Sequence, residues 1–486
     1  MARDVRTAPP RNDPRTVRRN REAAVLASRG REAIEDFALR DDYALNPDYV
    51  QMVIDAADRG DGPRLRELVE ALRPADVADL MGFVPPTLRA ELIADLPRGL
   101  LVEVLPELDD QIREDVLDEV APGRIAEAVA DLDTDDAAAV LEDLEEDQRA
   151  AVLAAMPAEE RAAVETALAY EENTAGRLMQ REVLAAPQFW TVGQTIDHAR
   201  GDAELPERFF DVYVVDPAYK PVGAVPLSTL MRAGRETSLS ALMESVIEVG
   251  AEQDQEEVAY VFEKYNLISA PVTDDAGRLI GQITLDDVVT VVQEEGQEDI
   301  LALAGVGDVG RDAGVVGMSR SRVPWLAVNL LTAMLGAGVI SLFEATIQQI
   351  VTLAVLLPIV SAIGGNAGTQ SLTVTVRALA MRELNRANAV RTFWRELTVG
   401  LLNGFVLAPL LGVAAGLFAH DWRIGAVISA AMVLNLLVAA TVGMLTPLTL
   451  ARFKQDPAVS SAVFVTACTD FFGFLIFLGL ATLVLL

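Results

Sequence analysis

The sequence has little cysteine and histidine, and this scarcity excludes several kinds of site. A single cysteine, Cys468, rules out internal disulfides and CxxC metal or redox sites. Two histidines, His198 and His420, are too few for a zinc site built on histidine. The sequence also shows no nucleophile or cofactor constellation, so we predict that the chain is not an enzyme.

Charged residues are scarce in the second part of the chain. The formal net charge is -32, of which the first 320 residues carry about -35 and the remainder about +3. The N-terminus lacks the short apolar core of a signal peptide, so we expect the acidic part to stay in the cytoplasm. The early arginines among prolines predict a disordered basic tail, with no nucleic-acid partner expected.

A repeat of 12 residues runs through 75–157. The sixth, seventh and tenth positions of each of seven units are apolar, as in Leu80, Met81 and Val84 of the first unit. These offsets lie on one helical face. Prolines at or near the unit ends are expected to stop each helix after about two or three turns. The repeat therefore predicts an all-α superhelix of short helices.

Strand and helix patterns alternate twice between residues 174 and 293. The apolar runs 210–216 and 221–227 form a hairpin that is echoed by 268–274 and 279–285. Each hairpin lies between two helical patterns, which predicts two β-α-β-β-α units. The arrangement resembles a tandem pair of CBS modules.

The second module carries a candidate nucleotide site. Thr284 and Asp287 are similar to a Thr and an Asp three residues later that often hold a nucleotide ribose in the CBS family. Pro226 and Thr229 occupy these places in the first module. We therefore expect at most one site for ATP or another adenine nucleotide. The alternative is that Thr284 and Asp287 cap the helix that follows.

Five apolar segments are long enough to cross a hydrocarbon core of about 30 Å. They are 324–343, 347–376, 397–419, 424–451 and 457–486. The loop between the second and third segments carries five arginines, and the loop between the fourth and fifth carries Arg452 and Lys454. The positive-inside rule then puts the N-terminus in the cytoplasm and the C-terminus outside the bacterial cytoplasmic (inner) membrane.

Two features of the membrane segments suggest ion binding. Asp470 is the sole ionisable side chain of the fifth segment, and no lysine or arginine lies at comparable depth. A carboxylate there is costly, so function is the default interpretation. In the second segment, the small and polar residues 361–371 are expected to break or loosen the helix and free oxygen ligands for a hard cation. The alternative is close helix packing through glycines.

Three motifs together resemble the MgtE family of bacterial magnesium channels. They are Tyr170-Glu-Glu-Asn-Thr-Ala-Gly-Arg-Leu-Met179, Gly364-Gly-Asn-Ala-Gly-Thr-Gln370 and Thr469-Asp470-Phe-Phe-Gly473. The resemblance implies a homodimer in the lipid bilayer with its pore on the two-fold axis and Asp470 as the Mg²⁺ site. Thr466, Thr469, Asn366 and Gln370 could contact the waters of the ion. The resemblance also implies regulatory Mg²⁺ sites at Asp254, Glu256, Asp287, Glu295, Glu298 and Asp299.

These interpretations combine into one expected multidomain architecture. We predict a disordered basic tail over 1–45, a helical repeat (MgtE N) domain over 46–170, tandem CBS domains over 171–293, a plug or connecting helix over 294–320, and a transmembrane domain of five helices over 321–486. The expected function is a Mg²⁺-selective channel that cytoplasmic Mg²⁺ closes. The alternatives are transport or exchange of another divalent cation such as Co²⁺, and a membrane sensor that does not transport.

Overall fold

A computed structural model describes residues 31–201, 205, 208–306, 315–384, 387–458 and 461–486. The chain divides into two compact units, one that ends at Val291 and one that begins at Val292. The first unit holds a helical domain and two small sheets. The second unit holds the long apolar helices.

Short helices build the first part of the chain. They are α1 (Arg31–Ala38), α2 (Pro47–Asp58), α3 (Gly62–Val69), α4 (Pro74–Phe83), α5 (Pro86–Asp95), α6 (Arg98–Val104), α7 (Asp110–Glu119), α8 (Pro122–Val129), α9 (Thr134–Glu142), α10 (Glu146–Ala155) and α11 (Ala158–Ala167). From α3 to α11 each helix begins 12 residues after the previous one. The repeat thus predicts one helix per unit correctly, and it extends one unit beyond each predicted end.

The apolar positions of the repeat form a continuous core. Leu80, Met81 and Val104 are fully buried, and the same positions of the other units line one hydrophobic cluster. The prolines, however, begin helices instead of ending them: Pro122 opens α8 and Pro157 precedes α11. Proline lacks an N–H group, and the first turn of a helix needs none there.

A repeated arginine closes the ends of several of these helices. Arg89, Arg113 and Arg149 each donate to the carbonyl oxygen five residues earlier, over 3.1, 3.3 and 3.1 Å. Carbonyls at a helix C-terminus lack partners within the helix, so a guanidinium satisfies them and favours the negative end of the helix dipole. These arginines therefore stabilise the turns between repeat units.

The helical domain begins earlier than the sequence predicts. The tail predicted over 1–45 lies outside the described residues up to position 30, but α1 follows, and Ile34, Ala38 and Leu45 are buried in the core of the repeat. These apolar side chains cover the first helices of the superhelix. The expectation of disorder over 31–45 is therefore wrong.

Two three-stranded sheets follow the helical domain. The first has the order β1 (Ala185–Pro187), β2 (Asp211–Val215) and β3 (Pro221–Pro226), and the second has β4 (Val249–Gly250), β5 (Ser269–Thr273) and β6 (Leu279–Thr284). In each sheet the first pair is parallel and the second antiparallel. The helices around them are α12 (Ala175–Leu178), α13 (Val192–Gly201), α14 (Leu227–Arg232), α15 (Gln255–Tyr265) and α16 (Leu285–Leu303), with a 3₁₀ turn at Leu239–Ala241. The two predicted β-α-β-β-α units are confirmed.

The second unit contains five helices that are long and apolar enough to cross a membrane. They are α17 (Val315–Leu342), α19 (Thr352–Ala380), α20 (Ala389–Ala419), α21 (Trp422–Arg452) and α22 (Ser461–Leu485), with the short α18 (Glu344–Gln349) before α19. The number of predicted spans is confirmed. The boundary of the second differs, since a break at Ile350 separates α18 from α19.

The connector differs from the single helix predicted over 294–320. It is the second half of α16, which begins at Leu285 and ends at Leu303, and Gly305 then has a positive φ of 67°. Residues 307–314 lie outside the described part of the chain, and Val315 already belongs to α17. Glycine adopts a positive φ without a steric penalty, which explains a helix end at this point.

The glycine-rich segment of α19 is also different from the prediction, because the helix is continuous from Thr352 to Ala380. Gly364, Gly365 and Gly368 are buried and admit neighbouring helices. A Cβ on Gly443 of α21, for instance, would lie 2.6 Å from the carbonyl oxygen of Gly368. Close packing keeps the helix intact, so the expected break is wrong and the packing alternative holds.

We predict that Gly425→Ala destabilises the membrane unit by about 1–3 kcal/mol, the usual cost of overpacking. Its Cβ would overlap the carbonyl oxygen of Gly412 on α20, and a backbone atom cannot move aside as a side chain can. The control is Gly338→Ala on α17, where no atom lies within 4 Å of the added Cβ. Thermal unfolding in detergent should show a lower midpoint for Gly425→Ala alone; equal midpoints would contradict this packing.

Candidate ion and regulatory sites

Asp470 lies on α22 and is held by a residue of α19. The Ser361 hydroxyl donates a hydrogen bond of 2.5 Å to Asp470 Oδ1, and the Asp470 side chain is half-buried. Polar groups inside a membrane span are expensive, so this pair of α19 and α22 is a candidate functional site. Sequence reasoning found Asp470 but did not predict its partnership with Ser361.

The other predicted pore residues divide into two groups. Asn366 and Gln370 are exposed on α19, and the exposed Thr369 and Thr373 extend the same face at intervals of three and four residues. Thr469 instead is fully buried, and its hydroxyl donates to the carbonyl oxygen of Thr466 over 2.9 Å. Half-buried Thr466 and buried Thr469 therefore pack between helices, whereas the α19 face is open.

The first unit contains carboxylates that sequence reasoning missed. Asp135 and Asp136, in the first turn of α9, lie close enough to Asp286 and Asp287, in the first turn of α16, to interact electrostatically. Burial and neighbouring negative charge raise the pKa of Asp136 to about 6, and they raise the pKa of Asp135 well above its usual value. For Asp287, burial and the charge of Asp286 raise the pKa to about 7. Asp135 Oδ1 is buried and accepts no hydrogen bond from any described residue.

Specific contacts hold α9 in this position. Glu182 accepts a hydrogen bond of 2.7 Å from the buried Thr134 hydroxyl, at the N-terminus of α9. Arg177 of α12 pairs with Glu142 at the end of α9, with 3.4 Å between Arg177 Nε and Glu142 Oε2. The helical domain and the second CBS module thus meet at an interface where negative charges face one another. Here protons or a divalent cation would relieve repulsion.

The remaining predicted regulatory residues lie elsewhere. Asp254 is the N-cap of α15 and accepts from the backbone N–H of Glu256 over 2.9 Å, and both side chains are exposed. Asp254 therefore has a structural role in ending the turn before α15. Both residues lie at the start of α15.

A second acidic group lies in the membrane unit. Asp299 of α16 is half-buried, and its pKa is raised to about 6 by burial and by the charges of Asp456, Glu295 and Glu298. Asp456 comes from the loop between α21 and α22, and was missed because the sequence gives no signal that α16 approaches this loop. The last turn of α16 also packs here, through Ala302 and Leu303, against Leu372 of α19 and Val465 of α22.

These carboxylates offer oxygen donors suited to a hard dication. Over the described ranges, no three or more His, Cys, Asp or Glu side chains form a ready-made metal-ligand group. Mg²⁺ commonly keeps several waters and binds proteins through one or two carboxylates, so pairs that interact electrostatically, such as Asp136 with Asp286 or Asp299 with Asp456, are candidate donors.

Thr284 and Asp287 adopt the geometry of the capping alternative. Asp287 Oδ2 accepts from the Thr284 hydroxyl over 2.8 Å and from the Thr284 backbone N–H over 3.4 Å, and the hydroxyl also contacts Asp286. These bonds satisfy the start of α16. Thr284 is only 4% exposed, so a ribose would have to displace an internal bond to reach it.

We predict that the chain binds at most one adenine nucleotide, because the first module has Pro226 where Thr284 stands in the second. Calorimetric titration of the full chain with ATP should give a stoichiometry of one or zero per chain. If one site is found, Thr284→Val should remove it and Thr229→Val should not. A stoichiometry of two would contradict the assignment.

Comparison with known proteins identifies the family. The model described as "Divalent cation transporter" (MgtE) matches residues 357–480, the MgtE intracellular N domain matches 72–173, and a CBS domain matches 239–294. The magnesium transporter MgtE of Bacillus subtilis is 32% identical over 312 residues, which cover 64% of this chain and 69% of that protein. The Thermus thermophilus protein of the same name is 35% identical over 315 residues, or 64% and 70% of the two chains.

A solved structure matches about half of the chain. The cytosolic domain of the Mg²⁺ channel MgtE in complex with ATP has 31% sequence identity and a TM-score of 0.47, and it covers 50% of this chain and 99% of that one. The spans, the CBS pair and the helical domain define a multidomain membrane transporter. The chain belongs to the MgtE family. Since the family consists of transporters, the expectation that the chain is not an enzyme is confirmed.

Proposed function

We propose that this membrane protein is a Mg²⁺ channel with Asp470 as its ion site. The observation that carries the proposal is a carboxylate inside a membrane-spanning helix, half-exposed and fixed by Ser361 of the neighbouring helix. The names of the relatives, which are magnesium transporters, support the choice of ion. Mg²⁺ loses its inner waters reluctantly, so the site would attract and orient the hydrated ion without stripping it.

A second copy of the chain completes the proposed pore. Asn366, Thr369, Gln370 and Thr373 form a polar stripe that is exposed on α19. The Thr369 and Thr373 hydroxyls donate to carbonyl oxygens four residues earlier. The amides of Asn366 and Gln370 at membrane depth, however, face water or protein, since exposure to lipid would leave their hydrogen bonds unmade. Two stripes that face each other in a homodimer would line a hydrated path, beside which the two Asp470 carboxylates lie.

The orientation of the protein follows from its arginines. Arg377, Arg382, Arg391 and Arg395 lie around the connection between α19 and α20, and Arg452 and Lys454 lie at the end of α21. The positive-inside rule puts these connections in the cytoplasm. The N-terminal unit and α16, which carry the candidate regulatory carboxylates, then lie on the cytoplasmic side.

The two acidic groups supply the gate. Without divalent ions, repulsion between Asp135, Asp136, Asp286 and Asp287 opposes the docking of α9, and repulsion around Asp299 opposes the docking of α16. Bound Mg²⁺ would replace this repulsion by attraction, so it would favour the docking of both helices. Because the last turn of α16 packs against the apolar cluster that contains Leu372 of α19 and Val465 of α22, its docking would close the pore when cytoplasmic Mg²⁺ is high.

Uptake into proteoliposomes tests the transport proposal. Vesicles that hold a Mg²⁺-sensitive dye should fill when Mg²⁺ is added outside, and Mg²⁺ raised on the cytoplasmic face should slow the filling. Parallel runs with Co²⁺ measure the preference between the two ions. Filling no faster than in vesicles without protein would overturn the proposal.

A further inference from the structure

Asn435 lies in the middle of α21 and connects the two helices of the Asp470 site. Its side chain is fully buried, and its Nδ2 donates to the carbonyl oxygen of Val360 over 3.1 Å. Two glycines make room for the amide: a Cβ on Gly364 of α19 would overlap Nδ2, and a Cβ on Gly473 of α22 would lie 2.8 Å from the same atom. The amide thus fills a notch between α19 and α22.

The contacts of Asn435 flank the ion site on both helices. Val360, which accepts its hydrogen bond, directly precedes Ser361, and Ser361 donates to Asp470. Gly473 follows Asp470 by three residues, which is nearly one turn of α22. A shift of either helix relative to Asn435 would therefore change the distance between the Ser361 hydroxyl and the Asp470 carboxylate.

Stability alone does not account for Asn435. A hydrogen bond between membrane helices contributes about 0.6–2 kcal/mol. Asn435 Oδ1, however, is buried and accepts no hydrogen bond from any described residue, and such an unmade bond costs about 1–3 kcal/mol. The two terms are of similar size, so an apolar side chain of similar volume would stabilise the helix packing at least as well. What an apolar side chain could not supply is the directional bond to Val360.

We infer that Asn435 is a positioning residue for ion permeation: its amide fixes α19 against α22 at the spacing where Ser361 orients the Asp470 carboxylate. The inference rests on the proposed function of Asp470 as the ion site. Asn435 acts through the helix spacing and does not touch the ion. Its role is to keep the carboxylate in one rotamer, so that the site recognises the geometry of hydrated Mg²⁺ and discriminates against Ca²⁺, which accepts more flexible coordination.

The test compares Asn435→Leu with Asn403→Leu, a control on an exposed position of α20. The Mg²⁺ concentration for half-maximal uptake and the preference for Mg²⁺ over Ca²⁺ are measured in proteoliposomes. We expect Asn435→Leu to raise the Mg²⁺ concentration for half-maximal uptake and to lower the preference for Mg²⁺ over Ca²⁺, each by about tenfold. Small displacements of a binding group can lower activity by up to about 100-fold. The thermal midpoint of Asn435→Leu in detergent should not fall below that of the wild type. The control should match the wild type.

A second variant keeps the inference testable if Asn435→Leu does not fold. Gly473→Ala keeps the Asn435 side chain, but the added Cβ would press on its amide from α22. This variant should also raise the Mg²⁺ concentration for half-maximal uptake and lower the preference for Mg²⁺ over Ca²⁺. Because both variants act through one carboxylate, adding Asn435→Leu to Ser361→Ala should give no further loss. Wild-type half-saturation and preference in both variants, or effects that multiply with Ser361→Ala, would overturn the inference.

The outcome also separates this inference from the proposed function beneath it. If Asp470→Asn transports normally, the ion site lies elsewhere and the proposed function fails. If Asp470→Asn and Ser361→Ala impair transport but Asn435→Leu and Gly473→Ala do not, the ion site stands and the positioning role is wrong.

Discussion

Asp470→Asn should lower Mg²⁺ flux at least 100-fold. The amide keeps the size of the side chain and can still accept from Ser361, so the packing of α19 against α22 is preserved. It removes the negative charge, and in a membrane interior a full charge attracts a dication far more strongly than an amide dipole does. The measurement is the initial rate of dye-reported uptake, normalised to the amount of protein in the vesicles.

The matched control is Asp421→Asn, in the same membrane unit. Asp421 is the N-cap of α21 and accepts from the backbone N–H of Arg423 over 2.8 Å, a task that asparagine performs equally well. This variant should transport like the wild type. Ser361→Ala removes one hydrogen bond and leaves the charge of Asp470, so its Mg²⁺ flux should lie between those of Asp470→Asn and Asp421→Asn. Unchanged flux in Asp470→Asn, with protein of normal stability, would move the ion site to another residue.

Much of the fold follows from periodicity, because burial imposes it. The 12-residue repeat predicts helices that begin at regular intervals, and the apolar runs predict the five spans, since both patterns depend on contacts that every unit repeats. The glycines of α19 were misjudged for a related reason. Gly364 and Gly368 loosen an isolated helix, but the neighbours that fill their grooves, Asn435 and Val465, come from α21 and α22. A local pattern cannot show such partners.

The candidate carboxylates between α9 and α16 were harder to find from the sequence than Asp470. Asp470 is conspicuous because it is the sole acidic side chain of a long apolar segment, and the sequence shows that directly. Asp135 and Asp136 stand among many acidic residues of the repeat, and only the fold brings them to Asp287. Asp456 is similar, since its meeting with Asp299 depends on where α16 ends. Sites made by contacts distant in sequence leave no mark in composition or spacing.

Neutralising the carboxylates between α9 and α16 should strongly weaken the response of the proposed channel to cytoplasmic Mg²⁺. The variant carries Asn in place of Asp135, Asp136, Asp286 and Asp287. It lacks both the repulsion that opposes the docking of α9 and the ligands that Mg²⁺ would bridge there, so only the group around Asp299 remains and the open probability should change much less with Mg²⁺ concentration. Single-channel recording with cytoplasmic Mg²⁺ stepped from zero to about 10 mM, which brackets weak carboxylate sites, is the measurement. The wild type should close over this range.

The control removes the same number of charges from the same unit of the chain. It replaces Glu146, Asp147, Glu159 and Glu160, exposed residues in the first turns of α10 and α11, by Gln or Asn. If total charge governed the gate, both variants would respond more weakly to Mg²⁺. If the facing carboxylates govern it, the control should still close. An intact response in the first variant would place the sensor in another group, with Asp299 and Asp456 the next to be neutralised.

The same carboxylates give the wild type a pH dependence of defined sign. Their pKa values are raised in the folded state, to about 7 for Asp287 and about 6 for Asp136. An unfolded Asp titrates near pH 4, so the folded protein binds more protons between pH 4 and 7. Without Mg²⁺, stability should therefore fall as pH rises through this window. Mg²⁺ binds the ionised form, so the rise in thermal midpoint that it causes should grow from pH 5.5 to pH 8 in the wild type. This growth should be smaller in the fourfold Asn variant, which keeps the group around Asp299, and a Mg²⁺ effect that is independent of pH in the wild type would exclude these carboxylates as the sensor.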